Sequence, residues 1–589
     1  MSTELRQFFC RCLFGAAISL SLVSPGFSGA QDEVPLSASL PSGAFACLEA
    51  EGLGPVVQRF RESQLLEQIL TSPQYRALEK TDDFQQQQAG RAVLEAQLGT
   101  DLWTVFEKVL GGRWVVALYP GDQPQQPHLA ALIEATDVEL LALIRERVDP
   151  FIDLAGERAE RFETDAGLPG FGLDERLYVV IGEQTITAAS TRDLLEQLQP
   201  GASEDTDTTP TSLADDERFI AMTGQVGDDH ELRMYVDTHA IAAATGGRMG
   251  IPEKVDNPLG SLLVSGLMEL VAGSPYLGVT LDVEEDNFQV AATVEGSAAD
   301  LAETHQVFFS NPNEPGAPQI PEIDGLIGGI AWYRDLDRWY RQRESYLQPE
   351  ALPGFDQFET NIGNLLPGRD IGEDVLPLIG DRMTLLAALQ TFDHLDGEPG
   401  LKLPGFAIIL ELADPKEGAD TLRLFFQTFT AILNFQAGEQ GREPWVMDSE
   451  TYADTQIAFG RYLSTPEGDS LPIVFNFQPA SAQVGDQFLF CSSVDLCRTL
   501  IDALKSPPTE TRTANRNFDL AVHAAPLADA FEMNRGLLEA RAIQDGTEPE
   551  RAGEDVNALL ELIRTMQALE MTTSAGEGTF ELRLQGSWK

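Results

Sequence analysis

Asp101-Leu102-Trp103-Thr104-Val105-Phe106-Glu107-Lys108-Val109-Leu110-Gly111-Gly112-Arg113 and Asp370-Ile371-Gly372-Glu373-Asp374-Val375-Leu376-Pro377-Leu378-Ile379-Gly380-Asp381-Arg382 follow one pattern. An Asp and an aliphatic residue lead through a central apolar residue (Phe106; Val375) to aliphatic-Gly-x-Arg, and the Asp-to-Arg step is twelve residues in both. Working outward, landmarks keep the same order from about Pro41 to Gly296 and from about Leu326 to Gly586. The chain therefore reads as two tandem homologous halves. A duplicated chain is its own two-member comparison: residues that the fold or a shared site needs recur, and chance matches to catalytic patterns do not.

The expected class is α+β, with antiparallel sheets and packed helices in two lobes per half. A strand opens each larger lobe (45–48; 330–333), and helix runs on to the Gly-Arg landmark. Two strands follow (114–119 and 129–135; 383–388 and 407–412), then a long helix (138–148; 419–433), a hairpin (177–189; 482–492) and a short helix. Each smaller lobe has a strand (232–236; 520–522), a helix and a closing hairpin (276–283 with 287–294; 569–574 with 579–584). Short turns between strands imply antiparallel pairing, and helices that do not alternate with every strand imply α+β.

Composition shifts place the boundaries. Residues 1–30 read as a signal peptide: Arg6 and Arg11, an apolar run from Leu13 to Val23, the break at Pro25-Gly26, and a small-residue site at Ser28-Gly29-Ala30. Cleavage after Ala30 is expected, with a retained N-terminal anchor as the alternative. Residues 31–200 form the first larger lobe, 201–213 a linker, 214–309 the first smaller lobe, and 310–321 a Pro-rich linker with four prolines in twelve residues. Residues 322–505, 506–514 and 515–589 repeat lobe, linker and lobe. No later run is long and apolar enough to span a bilayer; 259–272 comes nearest but contains Glu269, Gly260 and Gly266. The mature chain is expected outside the cytoplasm, periplasmic or extracellular, with no transmembrane segment.

Net charge is −53, from 93 acidic and 40 basic residues, only seven of them Lys. The acidic residues are dispersed, which keeps a surface soluble and repels nucleic acid and anionic lipid. No loop has calcium-ligand spacing. Cys47, Cys491 and Cys497 follow the signal. An oxidising exterior permits a Cys491–Cys497 disulfide; buried free thiols are the other reading. Their first-half counterparts are placed at Ala188 and about Leu194, so a bridge is dispensable to the shared fold.

Most recurring polar residues have structural readings. Asp137 and Asp414 precede the long helices as N-caps, with Pro415 and Glu417 strengthening the second. Ser190 with Asp193, and Ser492 with Asp495, resemble capping boxes. Gly182-Glu183 and Gly485-Asp486 suit two-residue hairpin turns, and Gly111 and Gly380 suit left-handed helix ends. Arg113 and Arg382 open a strand, and Glu134 and Glu411 lie near the end of the next. Two readings stand: an ion pair across adjacent strands, or an anion-binding arginine in each half, since guanidinium suits carboxylate and phosphate.

Catalytic patterns fail the recurrence filter. None of the six His recurs at a matched landmark, and none forms a His-Glu-x-x-His zinc motif. His230, amid Asp229 and Glu231, reads as an exposed acidic turn. There is no Gly-x-Ser-x-Gly elbow and no phosphate-binding Gly-rich loop. Trp332, Trp339 and Tyr340 suit core packing at least as well as a sugar platform. No cofactor or metal is implied.

The signal peptide, the Leu40-Pro41-Ser42-Gly43 opening, the helix 56–63, strands ending in Glu134-Ala135-Thr136-Asp137 and Glu411-Leu412-Ala413-Asp414, and a Gly-Glu-Gln hairpin before a capped helix carry a resemblance. The chain resembles a bacterial secreted family catalogued as domain of unknown function 3352, here in tandem. The resemblance implies no activity, cofactor or site residue. The leading expectation is a non-enzymatic extracytoplasmic binding or structural protein, its partner or ligand and oligomeric state left open. The alternative is an envelope hydrolase whose site has no recognisable motif.

Overall fold

The computed structural model describes residues 35–588 apart from 72, 124–125, 200–210, 228, 246, 248–249, 312–313, 367, 443, 464–469, 507–514 and 577. The expected signal peptide at 1–30, and the seams at 201–210 and 507–514, lie outside those residues. The fold is mixed α+β. Among the described residues no helix is long and apolar enough to cross a membrane.

The chain forms two compact units, Met1–Ile251 with Val271–Glu295, and Pro252–Leu270 with Gly296–Lys589. In the first, strands lie side by side in the order Ala159–Glu163, Pro169–Leu173, Leu177–Ile181, Thr185–Ala189, Gln126–Glu134, Arg113–Gln123, Ala46–Ala50, Leu232–Asp237, Tyr276–Val283 and Asn287–Glu295, every neighbour antiparallel. In the second the order is Trp445–Tyr452, Thr455–Tyr462, Ala480–Val484, Gln487–Cys491, Gly405–Leu412, Ile379–Ala388, Leu326–Tyr333, Arg516–His523, Met566–Ala575 and Thr579–Trp588, again all antiparallel. Strand by strand, the two orders coincide in chain sequence. The hairpins at Ala159–Leu173 and Trp445–Tyr462 are additions to the sequence expectation. Each sheet packs one face on a core; that of the first includes Val115, Ala117, Leu195 and Tyr235, that of the second Ala331, Ile457, Leu489 and Leu500.

Local chemistry explains the helix starts. Asp137 accepts the Leu140 N–H at 2.9 Å, and Asp414 accepts the Lys416 and Glu417 N–H groups at 2.9 Å each. Asp101 and Asp370 cap the landmark helices through the Thr104 and Glu373 N–H groups. The short helices after the hairpins are capped one residue later than expected, by Thr191 and Ser493. Ser190 and Ser492 instead share a tertiary task. Their hydroxyls accept the N–H groups of Leu129 and Phe406, and their own N–H groups return to the carbonyls of those residues.

The glycines also differ from expectation. Gly485 has φ 62 and opens a two-residue turn between Val484 and Gln487, as expected, whereas the first-half turn centres on Glu183-Gln184. Gly111 has φ −78, so it is not a left-handed helix end. It is glycine because the backbone of Gly54 packs on it: an added Cβ would lie 1.8 Å from the Glu107 carbonyl oxygen and 2.6 Å from the Gly54 Cα. At Gly380, also outside the left-handed region, the nearest atom would be the Glu411 Cγ at 3.2 Å.

Pro252–Leu270 belongs to the second unit although it precedes the central Pro-rich segment. Val255 bridges Leu347, and Trp339 donates its indole N–H to Ser261 Oγ at 3.0 Å. Arg334 holds the joint. Its guanidinium donates to the carbonyls of Leu262 (2.6 Å), Tyr333 (2.6 Å) and Phe308 (3.0 Å), with longer bonds to Leu263 and Asn517. Burial pushes its pKa down to about 10. Gly266 gives Phe308 room, since a Cβ there would meet the Phe308 Cβ at 2.6 Å.

Substituting the two landmark glycines should separate these roles. Gly111→Ala is expected to cost about 3 kcal/mol by forcing two backbones apart, and Gly380→Ala less than about 1 kcal/mol. Urea denaturation of the two variants, compared by midpoint, checks the contrast.

Candidate functional site

Arg113 opens its strand directly opposite Glu134 in register. Its Nε and Nη2 donate to Glu134 Oε2 at 2.9 and 2.6 Å. The second pair forms through a bulge: Ile379 faces Leu412 and Met383 faces Leu410, so Gly380, Asp381 and Arg382 share Glu411 as their opposite. Arg382 Nη1 donates to both carboxylate oxygens of Glu411, at 2.9 and 2.8 Å. Its other nitrogens serve a different partner. Nε donates to the Pro315 and Gly316 carbonyls at 3.1 and 3.0 Å, and Nη2 to Pro315 at 2.7 Å. Ala317 N–H bonds the Arg516 carbonyl, and Ser310 N–H bonds Asn517 Oδ1 at 2.8 Å. The described part of 310–321 is thus tied to the second sheet, with Ala317 and Ile320 buried.

Among the described residues, the carboxyl raised furthest lies in this bulge. Asp381 is half-buried beside Asp335 and accepts the Tyr333 hydroxyl at 3.2 Å. Burial first, and the Asp335 charge second, push its pKa up to about 6; Tyr333 and Arg382 oppose the shift. Its neighbour Tyr333 is raised by the same burial. The sequence held no signal for this group, because Gly112 fills the corresponding landmark position and has no carboxyl.

Other candidates resolve into structure. His230 is not an exposed acidic turn. Its Nδ1 lies 2.7 Å from Asp282 Oδ1 and its Nε2 2.7 Å from the Val226 carbonyl. Both partners only accept, so the doubly protonated ring fits best, and the Asp282 hydrogen bond raises its pKa against the opposing effect of burial. Trp332 and Trp339 are buried, and Tyr340 donates to Glu359 at 2.6 Å beneath Arg343. These three form packing, not a flat sugar platform. Cys491 and Cys497 are buried free thiols, and burial, then its hydrogen bond with Cys497, pushes the Cys491 pKa well up. The shared serine register places them at Ala189 and Leu195 of the first half, one residue beyond the sequence assignment.

A cleft of about 300 Å³ lies over the first hairpin, lined by Glu157, Arg158, Glu160, Asp174 and Glu175. Arg158 and Asp174 hold each other at 2.6 Å while both stay largely exposed. Among the described residues no group of three His, Cys, Asp or Glu is placed to hold a metal ion.

No family model and no curated protein matches this chain. Among solved structures, TP0453 in crystal forms III, IV and I aligns at 11% identity with a TM-score of 0.23. Forms III and I cover 47% of this chain and 84% of that one; form IV covers 44% and 80%. A TM-score of 0.23 carries no argument about fold or activity.

Asp381 gives a pH prediction with a definite sign. A carboxyl whose folded pKa lies above its unfolded value binds more protons when folded, so stability rises as pH falls through the folded value. Between pH 7.5 and 5 the wild type should gain up to about 1 kcal/mol over Asp381→Asn, allowing for solvent screening of a half-buried group. Parallel urea titrations at the two pH values measure it.

Proposed function

We propose that this chain is an exported, non-enzymatic binding or structural protein, built by tandem duplication and related to the secreted family it resembles. One observation carries the reading: both recurring arginines are spent on the opposing strand's glutamate. A recurring arginine kept for an anionic ligand would present its donors to an open site. Here Glu134 and Glu411 take that place, and Arg382 directs its remaining donors to two backbone carbonyls.

The coincident strand orders support duplication. Antiparallel sheets of this length can share a neighbour pattern in many ways, and agreement at every position favours copying over convergence. The dispersed acidic charge fits an exported surface that stays soluble and rejects nucleic acid. The hydrolase alternative draws less support, because the open cleft over Glu157 and Glu175 holds an exposed ion pair instead of convergent acid and base groups.

The test combines anion binding with turnover. Thermal unfolding should show the same response to phosphate and citrate in the wild type and in Arg113→Gln/Arg382→Gln, while the double variant itself melts lower by several degrees, corresponding to roughly 1–3 kcal/mol. An anion-dependent rise in Tm that the double variant loses would assign the arginines to a ligand. Steady hydrolysis of ester, glycoside or phosphodiester probes by the purified chain would sink the non-enzymatic reading.

A further inference from the structure

The helix Pro415–Glu439 is apolar on two sides. Ala419, Leu422, Phe426 and Thr430 are buried, with Leu410, Leu412 and Phe488 in the same core. A surface helix normally turns charge to the other side. This one instead carries Leu424, Thr428, Ala431, Phe435 and Gly438 there, spaced by four, three, four and three residues. That is the repeat of a helix–helix seam. Leu424 is 40% exposed and Phe435 69%, and Phe429 alongside is 37% exposed.

Charge selects the occupant. The chain has 93 acidic residues in 589, yet Thr421–Gly438 contains none, and Arg423 is its only charge. At a net charge of −53 most of the surface repels a second copy. On this face a second copy would not meet that repulsion. A two-fold axis at Ala431 also makes the seam self-complementary, as a closed dimer requires. Leu424 then faces Gly438, Phe435 comes level with Gln427 beside Thr428, and Arg423 of one copy comes level with Glu439 of the other. Arg423 bonds Asp420 at 2.6 Å and Gln483 at 2.8 Å, on an exposed pair that exchanges partners at little cost.

We propose that the chain self-associates as a two-fold dimer by antiparallel packing of Pro415–Glu439 against the same helix of a second copy. The inference goes beyond the scaffold reading and does not require it. The seam from Leu424 to Gly438 is about 21 Å long. Two such faces bury less than the roughly 800 Å² per partner of a standard interface, so the dimer is expected to be weak, with Kd on the order of micromolar.

Sedimentation velocity of the chain from Gln31 onward, from about 1 to 200 µM, tests this. The expected result is a reversible monomer–dimer transition whose midpoint rises at least about tenfold in Phe435→Glu and in Leu424→Glu, with the circular dichroism spectrum and Tm unchanged. Ala431→Cys should crosslink to a dimer under mild oxidation, and Glu175→Cys should not; the native cysteines are buried. A monomer throughout the range without Ala431→Cys crosslinking overturns the proposal. So does a dimer that Phe435→Glu leaves intact, or binding of the monomer to phosphatidylcholine vesicles that Phe435→Glu abolishes, which would give the face to a lipid surface.

Discussion

The guanidinium of Arg334 is buried and is held by backbone carbonyls, with no ion pair among the described residues. Taking an unpaired cation out of water costs several kcal/mol unless its donors are met. The carbonyls that meet them come from the helix Pro258–Gly273, from Phe308, from the end of the strand Leu326–Tyr333 and from the neighbouring strand Arg516–His523. The second unit is therefore closed by chain that precedes its own sheet. Phe308 over Gly266, Trp339 on Ser261 and the Val255–Leu347 bridge all reinforce the same joint.

Among the described residues this joint is found in the second unit alone. In the first sheet Ala50 faces Trp114 and Leu232, and in the second Trp332 faces Met383 and Phe518. Two residues further on, the first half has Gly52, with φ 70, where the second has Arg334. A glycine there has no side-chain donors, and no buried guanidinium takes that place among the described residues. The strand pairs differ likewise: Arg113 and Arg382 both meet a glutamate, but Arg382 also ties down Pro315 and Gly316. Strand order and cross-strand pair are common to the halves, and what each attaches to them is not.

Features determined within a few residues were legible in the sequence. Asp137 and Asp414 cap helices through N–H groups two or three positions away, and the turn at Gly485-Asp486 needs only its own two residues. The Arg–Glu pairs were legible as a choice between two readings, since adjacent strands bring them near but do not say what else approaches. Features with distant partners were not legible. Ser190 and Ser492 looked like caps because their hydrogen-bond partners lie 61 or more positions away; Gly111 looked like a helix end because Gly54 packs on it from another element. Nothing near His230 pointed to Asp282, and the bulge that raises Asp381 depends on the register of two strands. The hairpins at Ala159–Leu173 and Trp445–Tyr462 hid because their charged residues and glycines blur the alternation of a half-buried strand.

Pro252–Leu270 is part of the second unit, fixed there by Arg334, although it lies in the first half of the sequence. Amide hydrogen exchange across a denaturant series reports which residues open together. Amides from Ser261 to Leu270 are expected to lose protection with those of Leu326–Tyr333, at the same denaturant dependence. Loss of protection together with Leu232–Asp237, while Leu326–Tyr333 stays protected, would contradict it.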